Sequence, residues 1–144
     1  MRHPWTELYV HLVWATWNRH PLITPALQPR IYAVLHRHAH EIGAEILGVG
    51  GMPDHVHVLA RFPANLSIAT LVQRLKGASS YYAAQLGRGD SPFKWQGGYG
   101  AFTLSKRAVP IVRAYIANQE AHHRGGTTYR ALERIAPEKQ QGTG

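Results

Sequence analysis

The run His55-Val56-His57-Val58-Leu59-Ala60-Arg61-Phe62 admits few ways of folding. Side chains on a strand alternate sides, so Val56, Val58, Ala60 and Phe62 share one face while His55 and His57 share the other. The apolar face must be covered, which calls for a layer of helices on one side of a sheet. The other face holds two imidazoles about 6–7 Å apart, a spacing at which they can share one ion. Asp54, just ahead of them, can orient an imidazole from behind. The same run also fits a strand with a plain polar face, because His-x-His arises readily by chance.

The rest of the chain supplies the partners such a strand needs. Alternation from Glu7 to Thr16 places Leu8, Val10, Leu12 and Trp14 on one face of a strand. Leu27, Ile31, Val34, Leu35 and Ile42 recur at helical spacing between Pro25 and Ile42, and Gly43 is the stop. Glu45 to Gly50 reads as a strand, and Gly51-Met52-Pro53-Asp54 as the tight turn of a hairpin into His55–Phe62. Ser67 caps a helix whose buried stripe is Ile68, Leu71, Val72, Leu75, Tyr82 and Leu86. Gly97-Gly98-Tyr99-Gly100 leads into a short strand from Ala101 to Leu104. One helix then runs from about Ala108 to His123, with Pro110 in its first turn, and a weak helix covers Thr128 to Ile135. Strand, helix, strand, strand, helix, strand, helix is the order of an α+β sandwich of the ferredoxin-like or RRM-like type. Two helices cover one face of an antiparallel sheet, and a C-terminal helix carries Tyr115.

The 144 residues suit one domain, taken as 1–136, with a loose polar tail at 137–144. There is no cysteine, which excludes disulfides, thiolate zinc sites and cysteine nucleophiles. No apolar run approaches the roughly 20 residues of a membrane span, and Glu7 and His11 interrupt any signal-like stretch. A cytoplasmic protein without a membrane partner is therefore expected. Sixteen Lys and Arg against eight Asp and Glu give a net charge of +8, which favours a polyanion through phosphate contacts.

Tyr115 and Gln119 are four apart and so are neighbours on one helix face, continued by His122. A phenol with a pKa near 10 needs a nearby cation or base to act as a nucleophile at neutral pH. An amide oxygen joining two imidazoles leaves positions open for phosphate oxygens, which suits Mg2+ or Mn2+ better than a closed zinc site. Taken alone, the pair equally describes the solvated side of an ordinary amphipathic helix.

The ordered set of motifs resembles the single-tyrosine HUH transposases of small insertion sequences and their repeat-associated relatives. It comprises His11-Leu12-Val13-Trp14-Ala15-Thr16, Met52-Pro53-Asp54-His55-Val56-His57, Leu75-Lys76-Gly77, Trp95-Gln96-Gly97-Gly98-Tyr99 and Tyr115-Ile116-Ala117-Asn118-Gln119. The resemblance implies a transposase that cleaves and rejoins single-stranded DNA through a 5′-phosphotyrosine intermediate. Tyr115 corresponds to the family's nucleophile, and His55, His57 and Gln119 to its ligands for Mg2+ or Mn2+. It further implies a homodimer and DNA hairpins near the element ends. Trp17 departs from the lysine that the family often carries nearby.

Asp54, His122 and His11 are candidate supports of such a site. Arg74, Lys76 and Arg88 are candidate DNA contacts, and Trp95 and Tyr99 can stack bases. Each of these also fits a plainer role, the basic group as a solvated face and the aromatics as core. His36, His38 and His40 read as structural or surface residues. The rival readings are a non-enzymatic single-strand binding module and a domesticated nuclease acting on repeat hairpins.

Overall fold

In a computed structural model of the chain, residues 4–86 and 92–135 are described. Arg88 and the tail at 137–144 lie outside them. The elements are β1 (Tyr9–Ala15), α1 (Gln28–Glu41), β2 (Glu45–Met52), β3 (His55–Arg61), α2 (Ile68–Leu86), β4 (Gly100–Leu104), α3 (Val109–Ala117), α4 (Gln119–Gly125) and α5 (Arg130–Glu133). The sheet is antiparallel in the order β2-β3-β1-β4. This is the α+β, ferredoxin-like arrangement that the element order implies. The Gly-rich stretch leads directly into the sheet, since β4 pairs with β1 along its length.

The apolar face of β3 does what its alternation demands. Val56, Val58 and Ala60 join Val10, Leu12 and Trp14 of β1 and pack under Ile31, Leu35 and Ala39 of α1 and Leu71, Val72 and Leu75 of α2. Ser67 caps α2 as expected, its Oγ accepting the Thr70 N–H at 3.0 Å. Gly43 ends α1 in the left-handed region at φ 85°.

The hairpin is tighter than its sequence suggests. β2 runs on through Gly51 and Met52, which pair with Val56 and His55, so the turn is Pro53-Asp54 alone. Gly51 serves close approach, not turning, since a Cβ there would collide with the carbonyl oxygen of His55.

The larger correction concerns the face that carries the histidines, which two-layer logic leaves bare. Here α3 lies on it. Val112 and Ile116 form a second apolar cluster with Leu59, flanked by Leu47, Leu104 and Val109. The cause is a register shift in β2 between Ile46 and Gly48. The extra residue, Leu47, turns Gly48 and Gly50 towards the histidine side, because a one-residue slip exchanges the faces of a strand. Gly50 then accepts the Ile116 carbonyl where any side chain would block it.

The expected continuous helix 108–123 is broken at Asn118 (φ −108°, ψ 28°). Its side-chain amide donates to the Ala114 carbonyl at 2.8 Å, and that of Gln119 donates to the Tyr115 carbonyl at 3.3 Å. Side-chain amides thus take backbone acceptors at the end of α3, and a new helix starts at Gln119. The weak helix expected at 128–135 is the single turn α5.

Candidate active site

β3 supplies the centre of the site. His55 and His57 are buried on the α3 side of the sheet, and His11 of β1 is buried beside them. Each imidazole of the pair has its Nδ1 occupied from behind. His55 Nδ1 is 2.8 Å from Asp54 Oδ1, and Asp54 Oδ2 is held by Arg19 Nε at 3.1 Å. His57 Nδ1 is 2.8 Å from His11 Nε2. Both Nε2 atoms are therefore free to face the same space, and neighbouring groups of this kind fix tautomer and ring orientation.

Three further oxygens and a nitrogen enter that space. Gln119 Oε1 is 3.3 Å from His55 Nε2 and 3.1 Å from His123 Nε2. Glu133 Oε2 is 2.6 Å from His57 Nε2 and 3.9 Å from His55 Nε2. Glu133 Oε1 is 2.9 Å from His123 Nε2 and accepts the Tyr115 phenol hydrogen at 3.0 Å. The Tyr115 oxygen in turn accepts the Tyr129 backbone N–H at 3.1 Å. Its ring meets the His57 ring edge-on at 6.0 Å and stacks on His122 at 4.7 Å.

Charge in the site follows from burial and neighbours. Burial, reinforced by the positive charge His57 can carry, pushes His11 down to about 4. Burial likewise lowers His57. His11 is thus neutral at neutral pH. Burial alone pushes the Glu133 carboxyl up, but His57 beside it outweighs burial and brings the group to about 2. Tyr115 is raised, chiefly by burial and further by the Glu133 carboxylate.

The donor set fits a divalent ion. His57 Nε2 is fully buried and makes no aligned hydrogen bond despite the nearby Glu133 oxygen. A buried ring nitrogen in that state is costly unless something accepts its lone pair. His55, His57 and Glu133 bring one atom each within 4.8 Å of one another, and the Gln119 oxygen lies beside them. Two imidazole nitrogens with an amide oxygen form a mixed N/O set of the kind divalent cations accept, and Glu133 reaches the same space from α5.

The sequence candidates therefore divide. Asp54, His55, His57, His11, Tyr115 and Gln119 converge. His122 instead stacks on Tyr115 and bonds Thr127 Oγ1 at 2.9 Å, because the break at Asn118 restarts the helical count at Gln119 and presents His123. Trp95 is buried in the helix-side core with its indole N–H on Ser79, so it offers no face to a base. Tyr99 packs against the same core. Lys76 donates to the Gln96 and Gly98 carbonyls, and Arg74 pairs with Glu41 and His38, both on α2 on the far side of the sheet. Trp17 stacks under the Lys94 ammonium at 3.9 Å.

Glu133 and His123 were not among the candidates. His123 was legible, since Tyr115, Gln119 and His123 form a four-residue series. Glu133 was not, because a single helical turn has no period to betray which face it presents.

A ferredoxin-like sheet with a histidine pair set under a tyrosine helix defines a metal-dependent enzyme that works with one tyrosine. The family described as Transposase IS200 like matches residues 5–119. The chain belongs to that family and is a transposase. It is similar to the ISDra2 transposase TnpA of Deinococcus radiodurans, with 27% identity over 121 residues, covering 78% of this chain and 84% of the relative. The fold matches the crystal structure of a putative transposase from the same organism at a TM-score of 0.66 and 27% identity, covering 83% and 95% of the two chains. A REP-associated tyrosine transposase bound to a REP hairpin matches at 0.63 and 12% identity, covering 89% and 74%. Among the described residues no helix is long and apolar enough to cross a membrane.

Proposed function

We propose that the chain cuts and rejoins single-stranded DNA with Tyr115 as the nucleophile and His55, His57 and Gln119 as ligands of Mg2+ or Mn2+. One observation carries the reading. Tyr115 Oη and His57 Nε2 approach the same small anion, the Glu133 carboxylate, at 3.0 and 2.6 Å. A nucleophile and a metal-facing nitrogen that address one anion can address one phosphate. A non-enzymatic binding module needs no such convergence of Tyr115, His55 and His57.

A divalent ion held by these ligands would neutralise charge on the phosphate oxygens. The chain does the rest. Asp54 and His11 hold the two imidazoles with Nε2 forward. Gln119, anchored through its amide nitrogen on the Tyr115 carbonyl, keeps its oxygen towards them. Tyr115 Oη forms a bond to phosphorus as the bond from phosphorus to the 3′-oxygen breaks. The phenol gives up its proton, and the leaving oxygen ends as a 3′-hydroxyl. Attack by another 3′-hydroxyl reverses these bonds, so no nucleotide cofactor is needed.

One tyrosine holds one DNA end, and excision involves two, which favours a homodimer. We extend to this chain the hairpin ligand of its structural relative, placing hairpins near the element ends. A chain acting on cellular DNA, and without cysteine, belongs in the cytoplasm. The test is covalent capture. Single-stranded DNA from beside the gene, incubated with Mn2+, should give a protein–DNA adduct with the native chain and none with Tyr115→Phe. An adduct that survives in Tyr115→Phe would remove the nucleophile assignment.

A further inference from the structure

The chemistry proposed for Tyr115 has no use for Glu133, yet its carboxylate sits at the centre of the site. One oxygen accepts from the nucleophile and lies 2.9 Å from His123 Nε2, and the other faces His57. A phosphodiester awaiting attack must also offer its centre to the phenol and an oxygen to the histidine side. The carboxylate and the phosphate therefore compete for one seat. A carboxylate fixed there during reaction would repel the phosphate and oppose loss of the phenol proton. The arrangement can hold the site but cannot run it.

The segment bearing Glu133 is built to be moved. α5 is a single turn, far below the length at which a helix holds itself together. It follows Gly125-Gly126, with Gly126 in the left-handed region at φ 68°. The Tyr129 ring meets Tyr115 and His122 at 5.3 and 6.5 Å. The Tyr129 N–H reaches the Tyr115 oxygen, and the Arg134 carbonyl rests on Gly100, where any Cβ would strike it. Tyr129 itself is largely exposed.

We propose that Glu133 is an internal stand-in for the scissile phosphate. In this view α5 is a strap that keeps the seat filled until DNA displaces it, and His123 is the residue the vacated seat presents to the phosphate. The proposal rests on the strand-transfer reading for the identity of the substrate.

The experiment uses the full chain and separates binding from cutting. Fluorescence anisotropy of a labelled single-stranded oligonucleotide from beside the gene is measured in EDTA, and Mn2+ affinity is measured by electron paramagnetic resonance. If the strap is closed nine-tenths of the time, opening it tightens DNA binding about tenfold. Glu133→Gln and the shorter Glu133→Asp should both show that gain, with Mn2+ affinity within about twofold of the native chain. Within Glu133→Gln, adding His123→Ala should reverse most of the gain. DNA affinity that stays level or falls in both Glu133 variants overturns the strap. A tenfold loss of Mn2+ affinity also overturns it, by making Glu133 a metal ligand. Failure of the native chain to form an adduct would count against strand transfer instead, because the EDTA comparison involves no cutting.

Discussion

The two faces of the sheet are built on opposite principles. The α1/α2 face is large apolar side chains throughout, with Leu12, Trp14, Leu35, Leu71 and Leu75 at or near zero exposure. Burial of that kind stabilises each side chain by about 1.5–3 kcal/mol and asks only for volume and apolarity. The opposite face is also buried, but by three histidines, two glycines turned inward and a small cluster of Leu59, Val112 and Ile116. Its polar atoms are mostly oriented in pairs, and two of them, His57 Nε2 and His11 Nδ1, have no aligned partner. One face holds the molecule together, and the other gives up packing to hold atoms in position.

Substitutions on each face should separate these roles. The largest effect is expected from His57→Ala. It should lower the rate of adduct formation by about 1,000-fold or more, as loss of a residue central to metal-assisted catalysis does. The midpoint of thermal unfolding should hardly move. A large drop in that midpoint would show that the histidine face also carries the fold.

Leu75→Ala on the opposite face should do the reverse. It should cost about 2–5 kcal/mol in urea unfolding, with the adduct rate per folded molecule unchanged. Gly50→Ala tests the seam between the faces, because the new methyl meets the Ile116 carbonyl. It should cost about 1–3 kcal/mol and slow adduct formation about tenfold or more as Tyr115 shifts. Equal adduct rates for Gly50→Ala and the native chain would mean that α3 is not set by this contact. The smallest effect is expected far from both faces, where Ser67→Ala removes the α2 cap at a cost of about 1 kcal/mol, measured in the same unfolding assay.

How much could be read beforehand follows the same division. Val56, Val58 and Ala60 announce the helix-covered face by period alone, and His55 and His57 announce that something other than packing occupies the other. The cover on that second face was hidden by Leu47. Counting alternate positions from Ile46 sends Gly48 and Gly50 to the wrong side, and only the paired strand reveals the slip. Tyr115 and Gln119 were legible as neighbours because four residues apart is one helical turn, even though the helix ends between them. Helical spacing from Gln119 offers His122 and His123 alike, and nothing local in Asn118 announces the break that presents His123. Glu133 reaches His57 across 76 residues of chain from one short turn, a pairing that no local pattern encodes.

Gly50 has a consequence for how the chain can drift. The height of α3 above the sheet is set where a main-chain carbonyl meets a main-chain α-carbon, both of which every sequence possesses. Val112 and Ile116 can be exchanged for other apolar residues at a cost in stability while this hard stop stays in place. The depth at which the phenol enters the site is thereby gauged by the polypeptide itself, and the side chains around it are left free to vary.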